Sequence, residues 1–207
     1  MVKIKKYIKE NLKFFKKNIL KITIIVGLIF LLSTISSFVF FTDNNVIAVK
    51  IVESFVEATK DMVELSNSKL ASSIILNNIR ACLMGVVLGF IPFLFLVLFV
   101  LLLNAGLIGA VLSVNAVASN IPIWKVIVFG ILPHGIFELP ALFISIAISI
   151  FICLFITKKL LGKEKRKFGK TFLNILLNVV IIVIPLLLIA GLIEGFVTPL
   201  IMNIYVK

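Results

Sequence analysis

The chain has 207 residues, 61% of them hydrophobic and 14% charged, with a net charge of +12 and a mean hydropathy of +1.24. A soluble surface needs about a quarter to a third of charged positions, so this balance excludes a water-soluble fold. Nucleic acid is excluded as a partner by where the cations lie. Eight of the 21 Lys and Arg fall between Lys3 and Lys21, and seven between Lys158 and Lys170. Both clusters flank apolar runs, as the positive-inside rule expects of cytoplasmic segments.

Residues 1–21 alternate lysines with Ile4, Ile8, Leu12, Phe15 and Ile19, which predicts a basic amphipathic cytoplasmic helix on the bilayer. The start is similar to a signal peptide, but 22–41 is long enough to span, so an uncleaved anchor is expected. Residues 22–207 then form a single membrane domain. Segment 43–73 carries Asp43, Glu53, Glu57, Asp61 and Glu64 against three lysines, which suits the outer side. Ile51, Phe55, Ala58, Met62 and Leu65 step at helical spacing there, predicting an outer amphipathic helix.

The second span is placed at about 79–103, with Pro92 inside it and Gly85 and Gly89 offering close helix packing. Asn104-Ala105-Gly106 is read as a turn, with Gly106 and Gly109 as further packing positions. The third span, about 105–119, reaches only about 22 Å at 1.5 Å per residue. After a turn at Asn120-Ile121-Pro122, the ten or so apolar residues before Pro133 are too few to cross. They are read as a short re-entrant or broken helix. Spans four (136–157) and five (172–193) bracket the basic cytoplasmic loop 158–170. The fold class is thus all-α, an integral membrane bundle of about five transmembrane helices. It is expected to be a multi-pass protein of the cell membrane, with the N-terminus cytoplasmic and the C-terminus outside.

Ionisable groups are expensive in hydrocarbon. The single histidine, His134, stands four residues before Glu138 and so on one helix face. This topology places Arg80, His134, Glu138 and Glu194 at similar depth near the outer side. A polar cluster follows as the expectation, with Arg80 as counter-charge and Asn77 and Asn78 completing the hydrogen bonds. Zinc hydrolases usually supply two or three His or Cys ligands, and no Gly-x-Ser-x-Gly elbow is present. No catalytic residue, metal or cofactor is therefore assigned, and Cys82 and Cys153 are read as small packing residues.

The runs Asn77-Asn78-Ile79-Arg80, Asn104-Ala105-Gly106-x-x-Gly109, Pro133-His134-Gly135-Ile136-Phe137-Glu138-Leu139-Pro140-Ala141 and Ile193-Glu194-Gly195-Phe196-Val197-Thr198-Pro199 together resemble the stage II sporulation protein M family over roughly residues 15–200. Pro-His-Gly-x-x-Glu is the specific block. Asn-Ala-Gly stands where many members have Asn-Gly. The resemblance implies a polytopic membrane protein of bacteria and archaea. In endospore formers the namesake works with a peptidoglycan hydrolase and another membrane protein during forespore engulfment, as their membrane scaffold.

The leading expectation is therefore a non-enzymatic scaffold or complex subunit in envelope or membrane remodelling. Its partners would be the lipid bilayer and other membrane or envelope proteins, and its small-residue faces would also permit a homo-oligomer. The alternatives are a small transporter or channel-like protein using the His/Glu/Arg cluster, and an intramembrane metallo-hydrolase.

Overall fold

A computed structural model describes the backbone of residues 2–63, 65–119 and 121–205, and the side chains of these except 2–6 and 61–63. The expected Asn120 turn residue, together with the Asp61, Met62 and Glu64 side chains, lies outside the described residues. The helices are α1 (Val2–Asn18), α2 (Leu20–Asp43), α3 (Asn45–Val63), α4 (Asn67–Leu88) and α5 (Val97–Ala118), then α6 (Ile123–Leu160) and α7 (Phe168–Tyr205). α2, α4, α5, α6 and α7 are long and apolar enough to cross a membrane. The protein is an all-α membrane bundle.

α6 is the central helix. It buries 61% of its most apolar stretch, against 17–39% in the other four, because it is apolar on every side and receives α2, α4 and α7. Ile144, Ile148, Phe151, Ile152 and Phe155 of α6 meet Ile175, Val179, Val183 and Leu187 of α7 in the main core. The reverse holds outside: Leu28, Leu31, Leu32, Val87, Phe99 and Leu103 are all exposed. Such a rim of large apolar side chains fits hydrocarbon and would be a liability in water.

The basic clusters meet at one end of this bundle. The Asn11 carboxamide donates to the Asn174 carbonyl of α7 at 2.9 Å, and Phe14 packs edge-on against Phe151 at 5.5 Å between centroids. α1 is therefore docked on the protein as well as amphipathic. The link after α6 is tied down by Arg166. Its guanidinium forks onto Glu164 at 2.6 and 2.9 Å and reaches Asn18 Oδ1 at 2.9 Å. It also lies over the rings of Phe151 and Phe155 at 5.3 and 5.5 Å.

That pairing pushes the Glu164 carboxyl down to about 2 from 4.5. A depressed carboxylate contributes stability above its ordinary value and loses it as pH falls toward the folded value. Arg166→Lys, which keeps the charge but loses the fork and the stacking, should lower stability by about 1 kcal/mol. The wild-type advantage in thermal melts should hold above about pH 4.5 and shrink between there and about 2. A flat difference across that range would remove Glu164 from the account.

Helix boundaries differ from the sequence reading at three places. α4 ends at Leu88 and a link at residues 89–96 follows, so the run 79–103 is two helix ends and not one span. Pro92 is the reason: it lacks an N–H and disfavours helical backbone at Ile91. The link is pinned to α6, with the Phe93 N–H donating to Thr157 Oγ1 at 3.1 Å and the Cys153 thiol donating to the Ile91 carbonyl at 3.4 Å. Phe93 takes φ +65° there, at a cost of about 1–2 kcal/mol that these contacts offset. Conversely Asn104-Ala105-Gly106 is no turn but lies inside α5, where the Asn104 carboxamide donates to the Val100 carbonyl at 2.8 Å.

The third difference is that residues 123–131 neither re-enter nor break. They continue into α6 through a widened turn, Val126–Ile131, of π-helical geometry. α7 holds two more, Val179–Val183 and Ile193–Val197, and so runs past residue 193 to Tyr205. All three stretches end two residues before a proline: Pro133, Pro185 and Pro199. In each, the residue before the proline bonds five back: Leu132 to Ile127, Ile184 to Val179 and Thr198 to Ile193. A proline ring crowds the carbonyl four residues earlier and offers no donor to it. Widening the turn keeps the neighbouring N–H paired and the helix intact.

Candidate functional site

At the end opposite the basic clusters, α6 presents His134 and Glu138 on one face. His134 Nε2 lies 3.9 Å from Glu138 Oε2, both side chains being partly buried. Glu138 is 20 residues from Lys158, or about 30 Å along the helix, which is one hydrocarbon thickness.

Glu194 arrives on α7, inside the widened turn Ile193–Val197. It is carried in by two glycines that flank it at i−3 and i+1. A Cβ on Gly195 would sit 2.5 Å from the Ala71 Cβ and 2.8 Å from its Cα, and a Cβ on Gly191 would strike the Ile75 side chain. α7 thus rests directly on the α4 face formed by Ala71 and Ile75, one turn apart. Asn78 extends this face and lines the same cavity as Glu138. Thr198, one turn beyond Glu194, brings its hydroxyl within 3.5 Å of His134 Nδ1.

His134, Glu138, Glu194 and Asn78 line one side of a cavity of about 450 Å³. Asn77 and Asn104 add further polar edges, and Thr59 and Phe55 of α3 close another side. The remaining wall is apolar, with Phe30, Ile74, Leu107, Ile108, Val111, Leu139 and Leu142. One atom each from His134, Glu138 and Glu194 can be chosen so that all three lie within 4.8 Å of one another. A nitrogen and two carboxylates converging in an apolar cavity can bind a cation, hold a ligand rich in hydrogen-bond donors, or pass protons.

Of the sequence-predicted cluster, His134, Glu138, Glu194 and Asn78 come together, and Arg80 does not join them. Arg80 is exposed and forms no ion pair among the described residues. The reason is angular: two residues along a helix is about 200°, so Asn78 and Arg80 point to nearly opposite sides. Depth alone had placed Arg80 in the cluster.

The packing glycines divide in the same way. Gly89 lies against Ser149, where a Cβ would come within 2.5 Å of the carbonyl oxygen, and Gly109 lies against Ser37 of α2 at 2.6 Å. Gly85 makes only ordinary contact with Val97 at 3.6 Å, and Gly106 faces open space.

Sequence reasoning missed Thr198, Thr59 and the glycine pair Gly191-x3-Gly195. The pair had a readable signal, since it has the same spacing as Gly85-x3-Gly89 and straddles Glu194.

On α3 the packed face is Ala48, Ile51 and Val52, against Phe41, Ala110 and Val114. Of the expected stripe, Ile51 packs, Phe55 reaches the cavity rim and Ala58 is exposed.

Compared with known families, residues 9–199 match the family model described as Stage II sporulation protein M. No curated protein and no solved structure matches the chain.

Proposed function

The chain belongs to the stage II sporulation protein M family, and from that premise we propose that it is a non-enzymatic scaffold, a subunit that holds other envelope or membrane proteins in one complex. The observation that carries this reading is how the chain spends its length. Among the described residues the longest link between helices is 89–96, so nearly every residue belongs to the bundle or to helices packed on it. Work on an envelope polymer would then need catalytic domains supplied by partners. The cavity, bordered by α3 at the end away from the basic clusters, supplies a place where a partner segment can be held.

In this reading the basic end faces the cytoplasm, because Lys and Arg are retained there. The N-terminus is then inside, and Tyr205, stacked on Phe129 at 4.7 Å, is outside. The membrane is the cell membrane.

The test is recovery of the tagged chain in mild detergent after crosslinking in cells. A defined partner should co-purify with wild type, and Glu138→Gln should reduce its yield at least about tenfold, corresponding to about 1.4 kcal/mol of binding free energy. Wild type that repeatedly emerges alone and uncrosslinked would reject the scaffold.

The cavity itself favours a second reading, a small carrier whose ionisable groups handle the transported species. That reading requires flux through proteoliposomes that depends on Glu138. Folded protein inactive toward protons, cations and small osmolytes would dispose of it.

A further inference from the structure

We propose that His134, Glu138 and Glu194 form a binding site for one first-row divalent cation, of the zinc or manganese type, joining α6 to α7. Sequence reading set a metal aside because only one histidine is present. The structure supplies two observations that outweigh that count.

The first is charge. Two carboxylates face an apolar cavity, and the cation expected to offset them, Arg80, is turned to the other side of α4. Of the other cations on α6 and α7, Lys158, Lys159 and Lys170 are at the opposite end of the bundle, and Lys125, nine residues before His134, neither lines the cavity nor forms an ion pair among the described residues. The groups facing the cluster from neighbouring helices are neutral: Asn77 and Asn78 of α4, Asn104 of α5, Thr59 of α3 and Thr198 of α7. A divalent ion with two carboxylates and a neutral imidazole sums to zero, the charge state that low-dielectric surroundings favour.

The second is geometry. The three donor atoms lie within 4.8 Å of one another, and tetrahedral metal–ligand bonds of about 2.0–2.2 Å set them about 3.4 Å apart, at most about 1.4 Å closer. Side-chain rotation supplies that, since each group is only partly buried. The histidine is already oriented for the task. Its Nδ1 faces the Thr198 hydroxyl at 3.5 Å and its Nε2 faces Glu138, the arrangement in which an outer oxygen partner fixes the ligand ring. Asn78 lines the same cavity as Glu138 and offers a neutral carboxamide there.

One nitrogen and two oxygens suit borderline ions such as zinc and manganese better than thiophilic copper(I). Three protein ligands leave coordination positions open toward the cavity, where a partner's carboxylate or carbonyl can complete the shell.

The experiment uses the full chain purified in detergent, stripped with EDTA, loaded with ZnCl₂ or MnCl₂ and desalted. Wild type and Arg80→Ala should each retain about one equivalent of metal per chain. His134→Gln, Glu138→Gln and Glu194→Gln should each weaken binding at least about tenfold, as loss of one ligand of three predicts. Zinc should also raise the melting temperature of wild type and leave that of Glu138→Gln unmoved. Three separate ligand substitutions keep the test open if one of them fails to fold.

Retention by wild type no greater than by the substituted chains overturns the proposal. So does binding that survives all three substitutions, which would place the ion elsewhere. The measurement is made on the isolated chain, so its failure leaves the scaffold reading standing, and loss of partners in cells leaves the metal result standing.

Discussion

Gly195→Leu should unfold at markedly lower temperature than wild type, losing at least about 2–3 kcal/mol. Even the first added carbon would lie 2.5 Å from the Ala71 Cβ and 2.8 Å from the Ala71 Cα, and backbone cannot swing aside as a side chain can. Between helices in lipid there is no hydrophobic drive to force contact, so association depends on close packing and interhelical hydrogen bonds. Prising α7 from α4 removes that packing where Glu194 enters the cavity. Gly106→Ala is the matched control, because its Cβ meets nothing within 4 Å. It should be neutral or stabilising by up to about 1 kcal/mol, as alanine is the better helix former. Melts of the two variants in one detergent decide the matter, and equal losses would mean that the α4–α7 contact is not where the bundle is held.

Glu194→Gln should have the opposite sign. In metal-free buffer it should melt higher than wild type by about 2–4 °C, the size expected for about 1 kcal/mol in a chain of this length. Glutamine keeps the shape and removes one of two like charges that face an apolar cavity and pair with no Lys or Arg among the described residues. A group kept for packing loses stability when replaced, whereas a group kept for function often gains it. The same variant should lose its co-purifying partner in cells. A drop in melting temperature on neutralisation would instead make the cluster a polar clamp between helices.

Much of this architecture was legible from composition and spacing. Hydropathy identified membrane helices, and the lysine clusters marked one end of the bundle. The i,i+4 spacing put His134 and Glu138 on one face, and depth along the chain brought Glu194 to them. What hydropathy cannot register is a turn made of apolar residues, and Gly89 to Leu96 is such a turn. It contains Phe90, Ile91, Phe93 and Leu94, and only Pro92 betrays it. Asn104 looked like a turn because it is polar, yet a carboxamide inside a helix satisfies itself on the carbonyl four residues back. Depth without azimuth misplaces Arg80. Residues 78 and 80 share a level and not a direction.

The three widened turns have a consequence for how a single rod meets several partners. Each one adds a residue to the spiral and advances the phase of everything beyond it by about 100°. α7 exchanges neighbours along its length: its first segment touches α1, its middle lies between α6 and α4, the stretch holding Glu194 lies on α4, and its last turns meet the start of α6. An unbroken spiral would show one stripe to one side throughout. By shifting phase at Val179–Val183 and Ile193–Val197, α7 behaves as several short rods threaded on one axis, each turned to its own companion. The prolines that looked like breaks thus act as angular offsets, and Glu194 is held at the second of those in α7.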